Sequence, residues 1–145
     1  MRVDFYLLSS DTAAAAIVLL SRKVREAGER LVVVADDLEL IEEISRGLWS
    51  ASPEAFLANG IAGDAHDARQ PILLSDEINR VNGASFLLIA DGQWREPGDG
   101  FARVLYLFDQ QTIAGARATW KALQDREELE CKFWKQQGAK WVEGP

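Results

Sequence analysis

The sequence predicts an α/β fold: a Rossmann-like, three-layer domain with a mostly parallel central sheet and helices on both faces. Two short strand candidates, VDFYLL at Val3–Leu8 and LVVVA at Leu31–Ala35, alternate with two stretches whose apolar residues recur at helical spacing. A β-α-β-α order of this kind implies parallel strands joined by crossover helices. The chain has 145 residues, so we expect a single domain over residues 1–145.

The first strand–helix unit comes from the N-terminal residues. Val3–Leu8 is rich in β-branched and aromatic residues, which favours a strand. The polar triplet Ser9–Asp11 offers a helix N-cap, and a helix is predicted over Thr12–Ala27, ended by Gly28.

A second unit follows directly. Leu31–Ala35 is apolar throughout, which is typical of a strand buried on both faces of a sheet. Asp36 and Asp37 are predicted to cap the next helix through its first free N–H groups, and that helix runs to about Trp49.

The second half of the chain continues the same alternation after a loop-rich region at Ser50–Gln70. A helix is predicted from about Gln111 to Asp125. The remaining predicted strands are Ile72–Leu74, Ser85–Ala90, Arg103–Phe108, Glu130–Gln136 and Lys140–Val142, the last two lying around Gly138.

Composition limits the partners that the chain can have. The formal net charge is −7, which argues against direct nucleic acid binding because such binding depends on many Lys and Arg contacts to phosphates. No apolar run approaches the roughly 20 residues that span a bilayer. The longest apolar block, Ala13–Leu20, has no basic leader before it. We therefore expect a soluble, cytoplasmic protein without a membrane partner.

The single cysteine and the single histidine give weak signals for chemistry. Cys131 can form no internal disulfide, and its alternation with Phe133 predicts a small side chain that faces inward. His66 lies between Asp64 and Asp67 in a polar loop, a sparse set of ligands for a metal. We expect neither a metal site nor a cofactor.

An alternative hypothesis is a receiver-like or nucleotide-binding α/β enzyme that uses Asp36, Asp37 and Asp76 at strand ends. The strand RVLYLF carries no lysine after it, although a receiver domain needs one there. The turn after the first strand, SSDTAA, lacks the glycines that let a backbone approach a pyrophosphate. No GxSxG elbow or P-loop is present.

Two segments carry candidate binding residues. In ARATWKAL, Arg117 and Lys121 lie one helical turn apart beside Trp120. This is either an ordinary amphipathic helix or one wall of a groove for an acidic peptide with a free carboxylate. In LWSASPEAFLANG, apolar residues cluster around a proline, and they either cover the sheet edge or form a docking surface. These residues are Trp49, Phe56 and Leu57.

The order and spacing of several segments resemble one family almost from end to end. They are VDFYLL, LVVVADDLELIEEISRGLW, SPEAFLANGIAGD, PILLSD, RVLYLFD, ARATWKAL and FWKQQGAKWV. With these segments the chain resembles the chi subunit of bacterial DNA polymerase III, an accessory protein of the clamp-loader complex.

The resemblance implies a Rossmann-like adaptor without nucleotide chemistry or catalysis. It implies one surface for the acidic C-terminal tail of single-stranded-DNA-binding protein, which falls on Arg117, Trp120 and Lys121. A second surface for the psi subunit falls on Trp49 and Phe56, with Leu57 beside them, and a helicase is an alternative partner there.

Within ARATWKAL the chain departs from the family that it resembles. Many relatives have a basic residue where this chain has Thr119, which implies a lower affinity for the tail. Gly115 weakens the helix by up to about 1 kcal/mol relative to alanine.

Overall fold

A computed structural model of the chain describes residues 1–9, 12–51, 57–137 and 140–144. Its described strands all belong to one eight-stranded sheet, in the order β3-β4-β2-β5-β6-β1-β7-β8. The strands are β1 Arg2–Leu7, β2 Leu31–Val34, β3 Asn59–Ile61, β4 Ile72–Ser75, β5 Phe86–Ile89, β6 Arg103–Phe108, β7 Glu130–Gln137 and β8 Lys140–Glu143. The helices are α1 Ala13–Glu26, α2 Leu38–Trp49 and α3 Ile113–Gln124, with a short 3-10 helix at Asp67–Arg69.

The sheet is mixed but mostly parallel. Every neighbouring pair of strands is parallel except β7 and β8, which form an antiparallel pair at one edge. The predicted α/β class and mostly parallel sheet are therefore confirmed. The sheet also places β1 between β6 and β7, so an N-terminal strand joins two strands from the last third of the chain.

Helices cover both faces of the sheet. The apolar side chains of α1 and α2, among them Ile17 and Ile44, pack in one core cluster. Those of α3, Ala116 and Leu123, pack in a second cluster with Phe5 and Tyr106. Because successive residues of a strand point to opposite faces, the two clusters lie on opposite sides of the sheet. The sheet is thus the middle of three layers.

Most predicted elements are present with ends shifted by one or two residues. The strand β6 has the predicted bounds, Arg103–Phe108. The strand β3 lies in a region that we predicted to be a loop. Its three residues, Asn59–Ile61, have no strand pattern of their own, and their extended form follows from pairing with β4. Gly138, around which we predicted the last two strands, lies outside the described residues.

The helix caps differ in part from the prediction. Thr12 caps α1, because its side chain accepts a hydrogen bond from the N–H of Ala15 at 3.2 Å. Ser9 instead contacts β7: its N–H donates to the Gln136 side chain and its hydroxyl donates to the Gln136 carbonyl. Ser10 and Asp11 lie outside the described residues.

At α2 the prediction that both aspartates cap the helix is half right. Asp37 is the N-cap and accepts from the N–H of Glu39 at 2.9 Å. The Asp36 carboxylate pairs with Arg95 at 2.8 Å, and the same guanidinium binds Asp91 at 2.9 Å. Asp36 therefore ties the end of β2 to the loop after β5 instead of capping the helix.

Within the described ranges, the structure contains no helix that is both long and apolar enough to cross a bilayer.

Candidate functional site

A groove of about 620 Å³ lies between α3 and β7. Leu7 and Phe108, the last residues of β1 and β6, also line it. These strands are neighbours, and the helices that follow them, α1 and α3, lie on opposite faces of the sheet. Ligands of open α/β sheets bind preferentially at such a point, because the diverging helices leave a crevice there.

The floor of the groove is a cluster of aromatic rings. Trp120 meets Phe5 edge-on at 5.0 Å between ring centroids and Phe133 edge-on at 6.0 Å. Phe133 in turn contacts Phe108 at 5.8 Å. Edge-to-face pairs at these separations are favourable, and Phe5 is fully buried, so the floor is fixed to the core.

Basic side chains surround this apolar floor. Arg117 and Lys121 contribute from exposed positions on α3. Lys132 and Lys135 contribute from β7, and Glu143 of β8 is the acidic residue among the described lining residues. The groove is therefore locally cationic although the chain as a whole is acidic. An anionic group with an apolar neighbour fits this arrangement.

The three residues predicted from ARATWKAL line this one groove. Ala116 and Leu123 of the same helix are 2% exposed and pack in the core. Trp120 is half-buried at the border of that face, where it contacts both the core and the groove. The two hypotheses for this helix are thus compatible, because an amphipathic helix forms one wall of the groove.

Thr119 does not line the groove. Its hydroxyl donates to the carbonyl of Gly115, one turn earlier on α3, at 3.0 Å. At this position, where many relatives have a basic residue, the side chain therefore bonds within α3.

Cys131 also lines the groove, beside Phe133. Its side chain packs against the core cluster on the α3 side of the sheet, as predicted, but it is only half-buried. Burial raises the pKa of this thiol, and the Asp4 carboxylate raises it further, so the thiol stays protonated at neutral pH.

The second predicted surface is less compact. Trp49, the last residue of α2, is 58% exposed. Leu57 is only 4% exposed and packs in the core cluster of α1 and α2. Phe56 lies outside the described residues. Of this predicted set, the structure places Trp49 at the surface.

The acidic residues of the alternative enzyme hypothesis follow adjacent strands, because β2 pairs with β4. Asp37 and Asp36 have the structural partners described above, and Asp76 is exposed. The loop around His66 is held by aspartates: Asp67 accepts from the N–H groups of Gly63 and Asp64. Across the described ranges, no group of three or more His, Cys, Asp or Glu residues is placed to hold a metal ion.

The wall that β7 contributes to the groove was not predicted from the sequence. Phe133 and Lys135 are two residues apart, so both face α3, while Trp134 between them faces the other side. The alternation in CKFWK carries this signal. Using it requires knowing that β7 pairs with β1, which the local sequence does not reveal.

Comparison with known proteins relates the chain to one family. A probable DNA polymerase III subunit chi from Rickettsia prowazekii (strain Madrid E) is 31% identical over 86 residues, which are 59% of this chain and 52% of that protein. The chain thus spans about half the length of this curated relative. The family model described as DNA polymerase III chi subunit, HolC, matches residues 1–130, a range that includes α3 and ends where β7 begins. The chain therefore belongs to the DNA polymerase III chi subunit family.

Proposed function

We propose that this protein is a non-catalytic, cytoplasmic adaptor of the DNA polymerase III clamp-loader complex. Its groove between α3 and β7 would bind the acidic C-terminal tail of single-stranded-DNA-binding protein. The observation that carries this proposal is the convergence of Arg117, Trp120 and Lys121 on one groove with an aromatic floor. Family membership supports a replicase accessory role.

The groove matches both chemical features of such a tail. A terminal aromatic side chain would pack on the floor formed by Trp120, Phe133 and Phe108. The terminal carboxylate would pair with Arg117, whose planar guanidinium binds carboxylates through two parallel hydrogen bonds. Lys121 and Lys135 would attract the preceding acidic residues.

The charges of the groove predict weak and salt-sensitive binding. Arg117 and Lys121 are exposed, so dissolved ions screen their attraction to the peptide. We expect a micromolar Kd, which corresponds to a binding free energy of about −8 kcal/mol or weaker.

A second part of the proposal concerns the link to the clamp loader. Trp49 exposes a large apolar side chain at the end of α2, and exposed aromatic residues are enriched in protein interfaces. We assign the psi subunit to this surface, with a helicase as the alternative partner. Because Leu57 is buried, its contribution would be to support this surface from the core.

A calorimetric titration tests tail binding directly. The probe is a synthetic acidic peptide that ends in Pro-Phe with a free carboxylate, and the matched control is the same peptide with an amidated terminus. Titration at low and moderate salt should give binding that requires the free carboxylate and weakens as salt increases. If the amidated peptide binds as tightly as the free acid, the carboxylate site at Arg117 is wrong.

A further inference from the structure

A second pocket, of about 490 Å³, lies on the opposite face of the same strands. Tyr6 and Leu20 in its lining belong to the core cluster of α1 and α2, so this pocket is separated from the groove by the sheet. Six more residues line it, four basic and two aromatic: Arg2, Lys23, Arg103, Lys140, Trp134 and Trp141.

Asp4 is fully buried beside this pocket and holds three of its walls in place. Its Oδ1 accepts from Arg2 at 2.9 Å and from the indole N–H of Trp134 at 2.9 Å, and its Oδ2 accepts from Arg103 at 2.5 Å. These residues come from β1, β7 and β6, so one carboxylate joins three neighbouring strands. The side chains are fixed before any ligand arrives, which lowers the entropy cost of binding.

The four basic side chains of the pocket outnumber the single negative charge of Asp4, so the pocket has a net positive charge. Arg2 uses Nε and Nη2 for Asp4, and Arg103 uses Nε, so each guanidinium has N–H groups that Asp4 does not occupy. Lys23 and Lys140 are exposed, and neither has an ion-pair partner among the described residues. The described lining contains no acidic side chain.

Flat aromatic surfaces lie beside these cations. The rings of Tyr6 and Trp134 are stacked, with centroids 6.3 Å apart and an angle of 13° between the planes. Trp141 meets Tyr6 edge-on at 5.0 Å. Both indoles are half-buried, so each presents part of its surface to the pocket.

The two pockets differ in the ligand that they suit. The groove has a mainly apolar floor, which fits one hydrophobic side chain beside a carboxylate. The second pocket has four cations and two indoles, with Leu20 as the aliphatic residue of its described lining. This combination suits a flat, multiply charged anion, because aromatic rings stack on bases while arginine and lysine bind phosphates.

We propose that this pocket binds a phosphate-bearing nucleotide, with its phosphate on Arg2, Arg103, Lys23 and Lys140 and its base against Trp134 or Trp141. A free nucleotide and a nucleotide within a single strand share this chemistry. The acidic net charge of the chain opposes extended contact with DNA, so the pocket would take one nucleotide unit with weak affinity.

The tryptophan indole N–H signals in a nitrogen-edited NMR spectrum test this proposal, because Trp134 and Trp141 report the pocket whereas Trp120 reports the groove. Separate titrations use thymidine monophosphate, an oligothymidylate, inorganic phosphate and the acidic tail peptide. We expect both thymidine probes, or the oligonucleotide alone, to shift Trp134 and Trp141 and to leave Trp120 unchanged. Binding of both probes indicates a free nucleotide, and binding of the oligonucleotide alone indicates a single strand.

A charge-removing variant identifies the contacts. The double substitution Lys23→Gln and Lys140→Gln removes two exposed cations of the pocket and should weaken nucleotide binding about tenfold. The matched control is Arg46→Gln with Arg69→Gln, which removes the same charge from exposed positions outside the pocket. This control should bind as wild type does, and both variants should unfold at the wild-type denaturant concentration.

Four results would overturn the proposal. They are the absence of shifts at Trp134 and Trp141 with either thymidine probe, equal binding of inorganic phosphate, equal shifts with the tail peptide, and unchanged affinity in the pocket variant. Equal phosphate binding would remove the role of the indoles. Equal peptide binding would make the pocket a second site for acidic peptides.

Discussion

Trp120 of α3 stands edge-on to Phe133 of β7, with ring centroids 6.0 Å apart and an angle of 86° between the planes. This contact joins the two walls of the groove from positions 13 residues apart in sequence. Because Trp120 also contacts the fully buried Phe5, the groove is an extension of the core and not a separate surface feature. Its geometry should therefore persist without a ligand.

The first prediction separates the two walls of the groove. Arg117→Ala should weaken binding of the free-acid tail peptide by about 2 kcal/mol, as expected for a charged hot spot. Lys135→Ala on β7 should weaken it by about 1 kcal/mol, because lysine provides a point charge without a planar pair of donors. Calorimetry on both variants measures this, with Arg46→Ala on α2 as a control of equal charge. Wild-type affinity in Arg117→Ala would exclude this groove as the tail site.

The second prediction compares an exposed residue, Trp49, with a buried residue, Leu57, at the proposed psi site. Trp49→Ala should change the free energy of unfolding by less than about 0.5 kcal/mol, because the side chain is 58% exposed. Leu57→Ala should lower it by about 2–4 kcal/mol, because it leaves a cavity in the core. Urea denaturation of both variants, followed by a binding assay with the psi subunit, checks this. If the Trp49→Ala variant binds psi as tightly as wild type, the assignment of psi to the surface at Trp49 is wrong.

The third prediction concerns Gly115 in α3. A Cβ atom at this position would meet no atom within 4 Å, so alanine fits without a clash. Gly115→Ala should raise the free energy of unfolding by about 0.5–1 kcal/mol, because alanine loses less backbone entropy in a helix. The comparison is Gly28→Ala, which should destabilise because Gly28 has a φ of 80°. Denaturant midpoints measure both changes, and a lower midpoint for Gly115→Ala would contradict the prediction.

The fourth prediction concerns acid stability. Burial acts to raise the pKa of Asp91, but hydrogen bonds from Arg95 and from the N–H groups of Asp36 and Gln93 outweigh it, so the pKa lies below its ordinary value. A lowered pKa stabilises the fold above the unfolded-state pKa of about 4, and this stabilisation is lost as pH falls through the folded-state pKa.

The Asp91→Asn variant tests this dependence. Its deficit in unfolding free energy relative to wild type should be largest at neutral pH and should shrink below about pH 4. Urea titrations across this range measure the deficit. Arg95→Gln, which removes the partner and keeps the carboxylate, should show the same trend. A deficit that does not change with pH would mean that Asp91 acts through packing alone.

Local sequence determined much of the fold. Arg103–Phe108 forms the predicted strand because Val104, Tyr106 and Phe108 favour extended backbone and turn residues flank the segment. Asn59–Ile61 could not be predicted, because its short Asn-Gly sequence becomes a strand only through pairing with β4. Propensity alone does not include such tertiary contacts.

The site was predictable to the extent that it lies on one helix. Arg117, Trp120 and Lys121 share a face through helical periodicity, which sequence reveals directly. The opposite wall depends on the parallel pairing of β7 with β1, in which Phe133 lies opposite Phe5. That pairing joins residues more than a hundred positions apart, and nothing local to β7 specifies which of its faces meets α3.

Because alternate side chains of β7 line different pockets, this strand is sensitive to insertions and deletions. Phe133 and Lys135 line one pocket while Trp134 lines the other. Inserting or deleting a single residue before Phe133 would exchange the two sets of side chains across the sheet. Both pockets would then be lost in one event, although point substitutions could alter either one alone. An insertion or deletion near the start of β7 should therefore be much less tolerated than any single replacement within the strand.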